Sequence, residues 1–199
     1  MNSLSTALSI LAAGVVLQNL IFARGFCTDD ILRSTRTCQG MLQLGVVTTV
    51  IALLSTVMAW ALRSLFGMQS FWNTIRWVAY LFCVIVAYVL MHTALYFHNK
   101  GDKPTREQSE LLLRAGFNGA VYGIVLITSA NYAPLWQMLL YAVGCCMGLT
   151  AAQLLIHAEN ERIELCSVPK PFAGVPILMI YVGILSLAIY GLIGHQIPT

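Results

Sequence analysis

The chain has 199 residues, of which 58% are apolar and only 10% are charged, and its mean hydropathy is +0.77. Soluble domains carry about 25% charged residues, so this composition excludes an ordinary soluble domain. The formal net charge of +3 does not indicate nucleic-acid binding, because basic residues at the ends of membrane spans have a topological role.

Long stretches contain no Asp, Glu, Lys or Arg: residues 1–23, 37–62, 77–99, 115–158 and 171–199. A helix that crosses the hydrocarbon core needs about 20 apolar residues, and each stretch reaches that length. Pro134 divides the longest stretch, since proline disfavours helix at the residue before it. The sequence therefore predicts an all-α membrane protein with six transmembrane helices, at 3–24, 40–66, 74–97, 111–131, 134–158 and 174–194.

The basic residues predict the orientation of these helices. Nine basic residues lie in or beside the connections that follow the first, third and fifth helices: Arg24, Arg33, Arg36, Lys100, Lys103, Arg106, Arg114, Arg162 and Lys170. The opposite side of the membrane has only Arg63 and Arg76. The positive-inside rule then places those nine in the cytoplasm and both termini outside. The opening stretch has no basic n-region, so a cleaved signal peptide is not expected.

The six helices divide into a first three-helix repeat (1–98), a cytoplasmic connector (99–110) and a second three-helix repeat (111–199). Because each repeat has an odd number of helices, the second starts from the opposite side of the membrane, as in an inverted repeat. The first helix carries Asn19 and ends in "ARGFC", and the fourth carries Asn118 and ends in "SANY". Such polar interruptions in matching helices predict half-helices that meet at a site near the membrane centre.

Cys27, directly after "RGF", has two interpretations. It is either a loop thiol without a role or a metal or cluster ligand at the end of a broken helix, since thiolates suit iron–sulfur chemistry. The adjacent Cys145 and Cys146 point about 100° apart on a helix, and "GCCMG" fits a close contact between helices. His92 either hydrogen-bonds a neighbouring helix or has a proton or ion role.

No Walker motif, GxGxxG, HExxH or nucleophile elbow is present in the sequence. These motifs mark nucleotide, zinc and nucleophile sites of soluble-type enzymes. An autonomous active site is therefore not expected.

The chain resembles, over nearly its whole length, the A/E-type subunits of the Rnf complex and the D/E-type subunits of the related sodium-pumping NADH:quinone oxidoreductase. "QN…RGFC" looks like the Asn-bearing helix and "GLC"-like turn of that family, and "GIVLITSANYA" is similar to its "PLITTNCA" motif. "ENERIELCSVPKPFAG" is similar to its "RERL…DVPxPFRG" loop, which is the most specific match.

The resemblance implies six helices in an inverted repeat, with the first and fourth as half-helices that each end in a cysteine. Two such subunits in opposite orientations share four cysteines around a [2Fe–2S] cluster, which passes electrons across the membrane between flavin-bearing partners. By this likeness Cys27 is the first ligand, and Tyr132 stands at the position of the second cysteine. The resemblance thus leaves open what completes the cluster.

Two functional hypotheses follow. The first is an integral subunit of an Rnf/Nqr-like ion-translocating oxidoreductase complex in the bacterial cytoplasmic (inner) membrane, at most one component of a translocase. Its partners would be a homologous membrane subunit in opposite orientation or a second copy of itself, flavin-bearing and NADH-binding subunits, and membrane lipid. The alternative is a divergent, cluster-free paralogue that acts as a small transporter or structural membrane scaffold.

Overall fold

The computed structural model of the chain describes residues 3–17, 19–22, 25, 38–67, 71–98, 106–132, 134–164, 169 and 171–193. Every regular element in these residues is helical. The elements are α1 (Ser3–Ala12) with a π-helical continuation (Ala13–Leu17), α2 (Cys38–Phe66), α3 (Trp72–His98), α4 (Arg106–Gly116), α5 (Gly119–Asn131), α6 (Leu135–Glu164) and α7 (Val175–Ile193).

Four stretches are long and apolar enough to cross a membrane: Cys38–Phe66, Trp72–Phe97, Arg106–Asn131 and Leu135–Ile163. At 1.5 Å per residue, each exceeds the hydrocarbon thickness of about 30 Å. The third of these stretches comprises α4 and α5. Ser5–Val16 and Val175–Gly191 form shorter apolar helices. The chain is therefore a multi-pass, all-helical membrane protein.

Two helices extend further into the charged connections than the sequence predicts. α4 begins at Arg106 instead of residue 111, and α6 continues to Glu164 instead of ending at 158. Pairs one turn apart accompany both extensions: Arg106 Nε lies 3.1 Å from Glu110 Oε1, and His157 Nε2 lies 3.6 Å from Glu161 Oε1. Pairs at i and i+4 are favourable on exposed helical turns, so charged residues are compatible with helix beyond the apolar stretches.

α2 lies at the centre of the bundle and packs against α3, α4, α5 and α6, whereas α1 packs along α6 and α7 lies at the edge against α6. α2 and α6 run antiparallel. Gly45, near the start of α2, meets Thr150 in the second half of α6, and Arg63, near the end of α2, reaches Tyr132 just before α6 begins. Ile51 and Ala52 of α2 and Tyr141 and Ala142 of α6 are completely buried.

Large apolar side chains cover the outward faces of α3 and α7. Val78 and Phe82 of α3 are 68% and 63% exposed, and Leu187 of α7 is 74% exposed. In water such faces would be an aggregation liability. They suit contact with lipid or with another membrane subunit.

Candidate functional site

The first helix is interrupted at Asn19, which is buried and makes four hydrogen bonds. Its Oδ1 accepts from the backbone N–H groups of Ile21 (3.1 Å) and Phe22 (3.3 Å). Its Nδ2 donates to the carbonyl of Val15 (3.3 Å), behind it on the same helix, and to that of Gly148 (3.0 Å) on α6. Two donors and two acceptor positions are the full capacity of an amide side chain. Asn19 therefore terminates one helix, starts the next turn and fixes both to α6.

Close contact between α1 and α6 depends on glycines. A Cβ at Gly144 would lie 2.7 Å from the Leu11 carbonyl oxygen, and one at Gly148 would lie 2.7 Å from that of Val15. On the facing side, a Cβ at Gly14 would lie 3.0 Å from the carbonyl oxygen of Tyr141. The expectation that "GCCMG" forms a small-residue helix contact is confirmed.

This contact locates the interruption about half-way along α6. Leu11 lies beside Gly144 and Val15 beside Gly148, so α1 and α6 run parallel. Gly148 is 13 residues after Leu135 and 16 before Glu164. The first helix thus ends near the middle of a helix that spans the bundle.

The turn after Asn19 is closed by Gly25 and held by α7. The N–H of Gly25 donates to the Ile21 carbonyl (3.0 Å), and Gly25 has φ +67°, the left-handed conformation that glycine adopts most readily. Ser186 of α7 donates its hydroxyl hydrogen to the Phe22 carbonyl (2.6 Å). Cys27, the predicted ligand, comes two residues after Gly25 in the sequence and lies outside the described residues.

A second interruption lies between α4 and α5, at Asn118. This residue is extended (φ −74°, ψ 123°) and 6% exposed, and its Oδ1 accepts from the N–H of Ala120 (2.9 Å). The 13 residues of α5 cover about 20 Å, and α5 ends beside Arg63 of α2. Asn118 therefore lies near mid-length of α2, and it is one of the polar residues by which the sequence marks the fourth predicted helix as interrupted.

Tyr132 lies at the other end of α5, as its C-cap. Its N–H donates to the Thr128 carbonyl (3.0 Å), and its ring packs against Tyr141 of α6 with the centroids 4.9 Å apart. The Nη1 of Arg63 donates to the carbonyls of Ser129 (2.6 Å) and Tyr132 (2.8 Å). A cation at the negative end of the helix dipole is favourable. Arg63, for which the sequence indicates only a topological role, fixes this helix end.

The other candidates are placed by the same helices. Cys145 and Cys146 are buried near the middle of α6. A Cβ at Gly14 would also lie 3.0 Å from the Cys145 backbone nitrogen. His92 is half-buried beside the ring of Tyr88, with centroids 6.3 Å apart.

The described residues alone do not fit an iron–sulfur cluster. A cluster of this type needs four ligands, and nowhere in this part of the chain do three His, Cys, Asp or Glu side chains come close enough to hold a metal ion. Cys38 is exposed at the start of α2, and Cys83 is buried in α3. Any cluster would therefore need ligands beyond the described residues.

Comparison with known proteins gives a match over most of the chain. The profile of a family described as "Rnf-Nqr subunit, membrane protein" matches residues 7–195. The chain is 26% identical over 187 residues to a Syntrophotalea carbinolica protein whose name makes it a subunit of an ion-translocating oxidoreductase complex; the match covers 94% of this chain and 96% of the relative. Proteins of the same name from Vibrio cholerae (25% identity over 187 residues) and Edwardsiella ictaluri (27% over 190) also cover 94% of this chain and 96% of their own length.

Proposed function

Because the chain belongs to the Rnf-Nqr family of membrane subunits, we propose that it is an integral subunit of an Rnf/Nqr-like ion-translocating oxidoreductase complex. Relatives that it matches along 94% of its length are named as one of the subunits of such a complex. The apolar helices and the absence of autonomous enzyme motifs in the sequence are in keeping with a membrane-embedded part of a larger assembly.

We propose that the chain supports electron transfer through a [2Fe–2S] cluster at a subunit interface, with Cys27 as its ligand from this chain. The observation that carries this proposal is Asn19, whose four hydrogen bonds fix a helix end half-way along α6 and eight residues before Cys27. A helix end fixed in this way is a rigid base for a ligand that follows it, and rigid support is what metal sites require. That Tyr132 takes the place of the family's second cysteine ligand stays a prediction.

The inverted repeat is also part of the proposal, and the packing supports it. α1 packs on α6, and the interrupted helix of the second half, α4 with α5, packs on α2. α2 and α6, the second helix of each half, pack on each other. A two-fold axis in the membrane plane would exchange these contacts. Asn19 and Asn118 would then occupy corresponding positions.

The partners and location follow from the same proposal. The partner across the cluster would be a homologous subunit in opposite orientation or a second copy of this chain, with flavin-bearing and NADH-binding subunits completing the complex. The location would be the bacterial cytoplasmic membrane, with the termini outside.

Purification of the tagged chain from its native membrane tests complex membership. We expect flavin-bearing and NADH-binding subunits to copurify, together with electron transfer from NADH or a reduced donor. A chain that purifies alone or only with itself, from membranes that contain those subunits, would contradict the proposal.

The alternative, a cluster-free paralogue that acts as a transporter or scaffold, is favoured by one observation. The mid-bundle interruption of the second half is "FNG", at Phe117–Gly119, and has no thiol. The same purification, followed by measurement of iron, distinguishes the two functions. The paralogue would contain no iron and would not require redox partners.

A further inference from the structure

Ser186 of α7 uses its hydroxyl differently from the buried serines and threonines of the other helices. Those hydroxyls donate to carbonyls one turn back in their own helices: the hydroxyls of Thr48, Ser55, Thr56, Thr128 and Ser129. Ser186 donates instead to the Phe22 carbonyl, 164 positions away in the sequence, over 2.6 Å. The hydroxyl of Ser186 therefore joins α7 to the turn that follows Asn19.

The geometry of this turn explains why the Phe22 carbonyl is offered to another helix. Gly25 is left-handed, and its N–H donates to the Ile21 carbonyl four residues back, which is the arrangement of a simple left-handed helix cap. Such a cap pairs one carbonyl, that of Ile21, and leaves the next one, that of Phe22, for a different donor. An unpaired carbonyl is costly in an apolar interior, and Ser186 supplies a donor for it.

The packed face of α7 brings Ser186 to the turn. Leu178 and Val182 of α7 are buried, and Ser186, four residues after Val182, continues the same face of the helix. The turn presents Leu20 and Ile21, which are also buried. A hydroxyl thus takes the place of an apolar side chain on this face of α7, at the position where the helix meets the turn.

We propose that Ser186 is a positioning residue, which holds the turn between Asn19 and Gly25 in one conformation and thereby limits the positions open to Cys27. Two residues of chain span at most about 7 Å, so the thiol two residues after Gly25 in the sequence follows any movement of that glycine. α7, which lies at the edge of the bundle against α6, is in this way coupled to the first interruption. The positioning does not require a cluster; that the positioned thiol binds one rests on the proposed function.

The positioning is tested on the purified full-length chain in nanodiscs, treated with a chelator so that its thiols are free. The rate of alkylation of Cys27 by N-ethylmaleimide is measured by mass spectrometry and divided by the rate at Cys38, an exposed thiol of the same molecule. Ser186→Ala should raise this ratio about three- to tenfold, the factor by which the loss of one hydrogen bond shifts an equilibrium in a membrane protein. Ser186→Thr keeps the hydroxyl and should keep the wild-type ratio.

The matched control is Ser55→Ala. It also removes a buried serine hydroxyl, but this one donates to the Ala52 carbonyl within α2 (3.0 Å) and joins no second segment. Its alkylation ratio should equal that of the wild type.

Three outcomes would overturn the proposal: a ratio in Ser186→Ala that does not rise, whether or not Cys27 reacts; an equal rise in Ser55→Ala; or an equal rise in Ser186→Thr. If Ser186→Ala does not fold, Ser186→Val replaces it, since valine has the shape of threonine and lacks only the hydroxyl. Iron in the complex purified with Cys27→Ser is measured separately, so failure of the proposed function and failure of this positioning role give different results.

Discussion

The two interrupted helices place an asparagine at similar depth but use it differently. In the first half, Asn19 makes four hydrogen bonds, one of them to Gly148 on another helix, and Gly25, two residues before Cys27 in the sequence, closes the turn. In the second half, Asn118 caps α5, and the helix continues for 13 residues to Tyr132. The first interruption fixes a short turn that leads to a thiol, whereas the second redirects a helix that then completes its span. Two helix interruptions that each carry a buried asparagine can therefore differ in what they support.

The largest expected effect comes from removing the two asparagines in parallel. Asn19→Ala should lower the free energy of unfolding by about 2–4 kcal/mol, because buried backbone groups lose their partners. Asn118→Ala should cost about 1–2 kcal/mol, the usual range for a lost helix cap. SDS titration of the purified protein measures both. Equal costs, or a larger cost for Asn118→Ala, would contradict the described difference.

A smaller loss of stability is expected when the glycines of α6 that contact α1 are replaced. Gly144→Ala and Gly148→Ala should each cost about 1–3 kcal/mol, since the new Cβ would meet backbone oxygens that cannot move away without separating α1 from α6. Gly183→Ala on α7 is the matched control, because nothing lies within 4 Å of a Cβ there. If all three variants unfold alike, the helix contact does not require glycine.

A smaller effect is expected at the far end of α5. Arg63→Ala removes two charged hydrogen bonds from the Ser129 and Tyr132 carbonyls and should cost about 1–2 kcal/mol. Arg76→Ala is the control, since Arg76 lies 5.2 Å from the Trp77 ring centroid, a contact worth about 0.5–1 kcal/mol. Unfolding of Arg63→Ala at the same SDS concentration as Arg76→Ala would contradict the capping role.

The smallest effect on stability is expected for Tyr132→Phe, which keeps the ring against Tyr141 and removes only the hydroxyl. The change in free energy should be within about 0.5 kcal/mol. If Tyr132 serves only in packing, the iron content of the purified complex is also unchanged. Loss of iron in this variant would instead make Tyr132 a ligand.

Hydropathy locates four helices that are long and apolar enough to cross a membrane and two shorter apolar helices, because length and apolar content dictate which segments can span. It does not locate the helix ends at Arg106 and Glu164, since a charged residue that leaves the membrane does not have to leave the helix. Asn19 and the "GCCMG" contact are recognisable from small and polar residues inside apolar stretches.

In the fourth predicted helix the sequence marks both Asn118 and the "SANY" end, and the structure has an interruption at Asn118 and a helix end at Asn131. "FNG" at Phe117–Gly119 is the local signal for the interruption. Asn followed by Gly inside an apolar run favours a turn or cap over a continuous helix. The close packing of Thr150 against Gly45 is not predictable, because it depends on how α6 packs on α2.

Cys27, which follows the interrupted first helix in the sequence, is the proposed cluster ligand. Iron and acid-labile sulfide, together with electron paramagnetic resonance, should be measured on the complex purified with the wild type, with Cys27→Ser and with Cys38→Ser. Cys38 is the matched control, since it is an exposed free thiol at the start of α2. We expect Cys27→Ser to lose the cluster signal and its iron, and Cys38→Ser to keep both. Unchanged iron and an unchanged signal in Cys27→Ser would contradict it.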